Sequence, residues 1–80
     1  MKEVYILESL KLRGRRYRGL ADNTQERLLR HNEGSVPSTA PYRPWKLVLS
    51  IRSEDDTRAA AFEQYLKSGS GHSFARRHFW

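Results

Sequence analysis

The chain contains no cysteine, so neither a disulfide nor a cysteine-based metal centre can staple it. Long apolar runs are missing too. The longest, Val4 to Leu7 and Ala59 to Phe62, hold four residues each, against the ~18 a membrane span needs. No transmembrane helix and no signal-peptide core is expected. The only histidines, His31, His72 and His78, lack the spacing of a zinc site. No phosphate loop, nucleophile elbow or dinucleotide fingerprint occurs. Carboxylates are scarce beside cations, nine Asp+Glu against 15 Lys+Arg, and the net charge is +6. Eighty residues make one domain, 1–80, whose core is compact and leaves no room for a large internal cavity. Absence of thiols is compatible with a reducing cytosol, and a cytoplasmic protein is expected.

The charge is concentrated. Residues 1–19 carry six basic and two acidic residues, residues 20–66 six and seven, and residues 67–80 three and none, so both ends are basic. Eleven of the 15 cations are arginine, whose planar fork suits phosphate better than a lysine point charge does. Nucleic acid therefore ranks ahead of an acidic protein surface as partner, with a merely solvated basic surface as the alternative.

Val4-Tyr5-Ile6-Leu7 is a β-branched and aromatic run. Tyr17 lies in a second run after the polar stretch 11–16, which predicts a hairpin. A turn near Lys11 and Leu12 would set Tyr5 and Tyr17 nearly opposite each other. Asn23-Thr24-Gln25-Glu26 has capping-box spacing, and Gly34 suits the position past a helix end, giving a helix over about 24–33. Arg27 and His31 share one face of it, and Leu28 and Leu29 turn to the core. Residues 34–44 hold all three prolines and read as a loop. Trp45 to Ile51 alternates Trp, Leu, Leu, Ile with Lys, Val, Ser, a third strand with one buried face. Ser53 caps a second helix with three carboxylates in its first turn. Gly69-Ser70-Gly71 breaks that helix, and residues 73–79 form a short terminal one. The fold class is α/β (α+β), a three-stranded antiparallel sheet flanked by helices in the order β-β-α-β-α-(α).

This order of motifs resembles the GIY-YIG nuclease superfamily, in its small single-domain group related to the nuclease module of the bacterial excision-repair incision subunit. The first motif stands as Glu3-Val4-Tyr5 followed by Ile6-Leu7, the second as Tyr17-Arg18-Gly19. Arg27 and His31-Asn32-Glu33-Gly34 follow, then Tyr42-Arg43-Pro44-Trp45, Glu63, and Lys67 to Gly71. The sequence departs from the pattern where Glu3 replaces a glycine, where Arg18 replaces an aliphatic residue, and in having no Asn after Asn32.

The resemblance implies metal-dependent endonuclease hydrolysis of DNA phosphodiester bonds, structure-selective or in DNA repair. Tyr5 would be the candidate base, Tyr17 would orient water or phosphate, and His31 would assist proton transfer. Hydrolysis needs an activated water and a cation on the phosphate oxygens. Arg27 suits the second task, bidentate and charged at any working pH. Glu54, Asp55 and Asp56 start one helix, Asp22 and Glu26 another, and Glu3 and Glu8 flank the first strand. Glu63 is the expected metal ligand, and one carboxylate suits a single Mg²⁺ or Mn²⁺ better than a two-metal clamp. No small-molecule cofactor is implied, and oligomeric state stays open. Trp45, Trp80, Phe74 and Phe79 could stack bases. Two alternatives stand beside the nuclease: a catalytically decayed nucleic-acid-binding module of the same fold, and a protein-interaction domain with a basic surface.

Overall fold

The computed structural model describes residues 1–80. Its elements run β1 (Lys2–Ser9), β2 (Arg16–Ala21), α1 (Thr24–Glu33), a 3₁₀ turn (Ala40–Tyr42), β3 (Trp45–Ser53), α2 (Asp56–Leu66) and α3 (Gly69–His78). The three strands form one antiparallel sheet, as the sequence predicts, and the structure gives their order as β2-β1-β3. β1 is central and its Val4, Tyr5, Ile6 and Leu7 are all buried. A strand buried on both faces needs apolar residues at consecutive positions, which is why this run does not alternate. Val4 and Ile6 pack with Ala59 and Leu66 of α2 and Ala75 of α3, whereas Tyr5 and Leu7 pack with Tyr17, Leu28 and Trp45. Because successive side chains point to opposite faces, α1 covers one face of the sheet and the α2–α3 pair covers the other.

Several expectations need correction. Leu7 faces Tyr17, and Tyr5 faces Gly19, so the two tyrosines are diagonal neighbours instead of a facing pair. The Ser9 hydroxyl accepts from the Lys11 and Leu12 N–H groups at 3.1 and 2.9 Å. This lengthens β1 and moves the turn along the chain. β3 does not keep one buried face. Ile6 pairs with Leu49 and Leu7 with Leu47, a bulge at Val48, and the extra residue reverses the alternation. Trp45 and Leu47 therefore serve the α1 side while Val48 and Leu49 pack on the α2–α3 side.

In α1, Leu28 packs inward but Leu29 is 63% exposed. The cap is half a capping box: Asn23 accepts from the Glu26 N–H at 3.1 Å, and the Glu26 carboxylate pairs with Arg30 instead. At the other end Gly34 takes the left-handed conformation, φ 87°, as its position predicts. Finally, α2 is capped by Asp55 and not Ser53, whose hydroxyl bonds the Asp55 backbone from the end of β3. α3 begins at Gly69, because the Ser68 hydroxyl accepts from the Gly71 N–H at 3.1 Å and caps it there. A Cβ on Gly71 would stand 1.8 Å from the Tyr65 carbonyl oxygen, so this glycine lets α3 turn back against the end of α2.

Candidate active site

α1 carries Arg27 and His31 onto the face of the sheet that holds Tyr5 and Tyr17. Its placement begins at Glu3, whose carboxylate accepts from the Thr24 N–H at 2.9 Å and binds Arg52 of β3 at 3.1 Å. Those bonds, the Thr24 contacts first, hold the Glu3 carboxyl below the usual carboxylate range. A carboxylate at the first turn also meets the positive end of the helix dipole. Glu3 thus joins both outer elements, α1 and β3, to β1.

Tyr5 lies fully buried over Gly19, where a Cβ would come within 2.5 Å of the phenol ring and its oxygen. Only glycine opposite Tyr5 leaves space for the ring. The Tyr5 and Tyr17 ring centroids are 6.1 Å apart, and those of Tyr17 and His31 are 4.7 Å apart. Tyr5 Oη lies 3.0 Å from His31 Nε2 and accepts from Arg27 Nε at 3.5 Å. The structure therefore brings Tyr5, Tyr17, Arg27 and His31 together from three elements.

Both ring nitrogens of His31 are engaged: Nδ1 is 2.8 Å from Thr39 Oγ1, whose hydroxyl also reaches the Val36 carbonyl at 3.3 Å. In the tautomer with the hydrogen on Nδ1, Thr39 accepts it and donates to Val36, and Nε2 is the acceptor for the Tyr5 hydroxyl. Burial first, and the Arg27 charge second, hold the His31 imidazole below its ordinary range, which keeps it neutral and ready to accept. Burial also pushes the Tyr5 phenol up, against the lowering pull of Arg27. Tyr5 at rest is thus a phenol, its oxygen 3.0 Å from His31 Nε2.

Thr39 is the member of this group that sequence reasoning missed. It lies in the Pro-rich loop, yet it is buried, and its carbonyl accepts from Trp45 Nε1 at 3.0 Å. Asn32 fastens the same region, exchanging two hydrogen bonds with the Trp45 backbone at 2.6 and 3.1 Å. The only signal in the sequence was a hydroxyl residue inside a loop anchored by an aromatic.

Glu63 stands apart from these four. It projects from α2 on the other face of the sheet, buried, with Lys67 Nζ at 2.5 Å from Oε2 and Gln64 Nε2 at 3.3 Å from Oε1. The roles that the resemblance implies would require all five residues to share one face, but the sheet stands between Glu63 and Arg27. Both helices reach the edge strand β2: Arg27 lines a surface cleft with Leu20 and Ala21, and α2 packs against β2 from behind. A ligand touching both side chains must wrap that edge.

No group of three His, Cys, Asp or Glu residues converges in the fold. Glu63 alone still fits a hydrated magnesium ion, which takes one or two protein carboxylates and keeps several waters. Lys67, which pairs with the Glu63 carboxylate, reaches it from the surface with 51% of its own side chain exposed.

A family described as the GIY-YIG catalytic domain matches residues 1–76. The chain belongs to that family. No curated relative matches it. In this GIY-YIG domain the first-motif position taken by Glu3 has become the tether of α1, and the second-motif glycine, Gly19, makes room for the first-motif tyrosine. A nuclease-type fold is thereby established.

Proposed function

We propose that this chain hydrolyses DNA phosphodiester bonds as a metal-dependent endonuclease, in structure-selective cleavage of the kind DNA repair employs. The observation that carries the reading is the buried chain of hydrogen bonds from Tyr5 through His31 to Thr39, with Arg27 at its mouth. A neutral imidazole bonded to a phenol has little packing value, since both polar tips would cost energy if left unpaired. It does suit proton transfer near neutral pH.

The Arg27 guanidinium offers two parallel donors to the non-bridging phosphate oxygens and offsets charge that grows as water attacks phosphorus. The attacking water loses its proton to Tyr5 Oη while the Tyr5 hydrogen moves to His31 Nε2. His31 then carries the positive charge, oriented by Thr39. Tyr17, ring to ring with His31, holds the water or phosphate in line. Magnesium or manganese, when bound, supplies Lewis-acid charge for the phosphate and the leaving oxygen, and Glu63 is the residue that would hold it.

The decayed binding module is the second reading, favoured by the Lys67 ammonium already occupying the Glu63 carboxylate. The deciding assay presents branched, flapped, single-stranded and duplex DNA with Mg²⁺, Mn²⁺ or EDTA, at enzyme excess and long incubation. Metal-dependent products on any substrate establish the nuclease. Binding without metal-dependent products on all of them establishes the module.

A further inference from the structure

Arg18 replaces the aliphatic residue that the family resemblance expects in the second motif, and its surroundings show a use for it. It projects from the opposite face of β2 to Tyr17, half-buried, and donates from Nη2 to His72 Nδ1 of α3 at 3.2 Å. It has no carboxylate partner, and Nε of both Arg18 and Arg16 is buried with no hydrogen-bond partner. Burial, then repulsion from Arg16, presses on the Arg18 charge. Arg16 pairs through its Nη2 with Glu8 at 3.6 Å, so Arg18 is the cation left without a carboxylate, a costly placement unless an anion arrives to pair with it.

Around them lies a surface cleft of about 590 Å³, lined among others by Arg15, Arg16, Arg18 and Arg76, with no carboxylate among its walls. The half-buried Trp80 ring forms part of one wall, with the Arg16 guanidinium 4.0 Å and that of Arg18 5.6 Å from its centroid. Tyr17 and Thr39 form part of the same lining, so the cleft opens beside the Tyr5–His31 group. Its volume falls within the range of small-ligand sites, roughly 300–1,000 Å³.

We infer that this cleft holds one unpaired nucleotide of the nucleic-acid strand, its phosphate on Arg18 and Arg76 and its base against Trp80. The inference rests on the nucleic-acid reading above and deepens it. A base reaches an aromatic wall only when it has left its partner, so the preferred ligand is single-stranded or frayed. Paired duplex can offer the cleft its phosphates alone. Arg18 is then a specificity residue for strand state, and it acts separately from Arg27.

The test measures binding in EDTA, by fluorescence anisotropy, of a labelled mixed-sequence oligonucleotide alone and annealed to its complement. The wild-type chain should bind the single strand more tightly. Arg18→Leu should weaken single-strand binding roughly tenfold and close most of that gap, as should Trp80→Ala, through loss of a phosphate contact and of a stack respectively. The thermal midpoint of Arg18→Leu should hold or rise, since a desolvated cation is replaced by an apolar side chain in an apolar layer, so lost binding cannot be ascribed to unfolding. Arg18→Lys should fall between, keeping the charge and losing the fork. Equal affinity of Arg18→Leu and wild type for the single strand, or wild-type preference for duplex, overturns the inference and leaves the nuclease reading standing. Failure of the wild type to bind any nucleic acid at low salt overturns both.

Discussion

Tyr5 and His31, 26 residues apart in sequence, are joined by a 3.0 Å hydrogen bond inside the α1 face of the sheet. Neither side chain can be changed without stranding the other. Tyr5→Phe removes the only donor to His31 Nε2 and should cost about 1–3 kcal/mol, the penalty of a buried acceptor left unpaired. Turnover should fall by about 10²–10⁴, the usual share of a proton-transfer group. Urea denaturation beside single-turnover cleavage separates the two losses. Full activity in Tyr5→Phe would remove the relay from the mechanism.

The imidazole sets a pH window. The His31 pKa in the folded chain lies below its unfolded value near ~6.5, so below that pH the unfolded chain binds more protons than the folded one. The stability His31 contributes is fully present above the unfolded value and is lost as pH falls through the depressed one. Urea midpoints should therefore drop on acidification from neutral pH. In His31→Gln that part of the slope should flatten. Cleavage should fall along the same limb, because protonated His31 cannot accept from Tyr5.

Gly19→Ala probes the space under Tyr5. The added methyl meets a ring that cannot move aside, since it is fully buried and tied to His31. Overpacking should cost about 1–3 kcal/mol, and cleavage should fall further than stability does, because Tyr5 must tilt away from the imidazole. Near-ultraviolet circular dichroism reports the tilt, and an unchanged tyrosine signal with wild-type turnover would contradict the steric account.

Glu63→Gln separates the metal from the fold. The lost partner, Lys67, is half exposed, so stability should change by no more than about 1 kcal/mol. DNA binding should persist or tighten as a negative charge is removed. Mn²⁺ affinity, read by paramagnetic relaxation, should drop with cleavage. A variant that binds Mn²⁺ and cleaves as wild type does would place the metal elsewhere.

Much of this arrangement is legible in the sequence because its causes are local. Asn23 and Gly34 bound α1 through caps, and the spacing of four between Arg27 and His31 puts both on one helix face. What escaped depends on contacts distant in the chain. The Val48 bulge answers a need of two cores at once, and alternation alone cannot show it. Thr39 became part of the site through a loop fold pinned by Trp45 and Asn32. Glu63, four residues before Lys67, reads on spacing alone as half of an ion pair and becomes a ligand candidate only through the resemblance; the sheet between it and Arg27 shows how far the two stand apart.

The extra residue at Val48 also fixes where this chain can change length. β3 changes allegiance there, giving Trp45 and Leu47 to one core and Leu49 to the other. Deleting one residue between Leu47 and Leu49 would restore an unbroken zigzag and drive one half of the strand's apolar side chains into the wrong layer. An insertion there would displace one half by the same logic. The hairpin connection over residues 10–15, largely exposed, bears no such phase. Length variation among descendants of this sequence should therefore collect at the hairpin tip and spare the middle of β3.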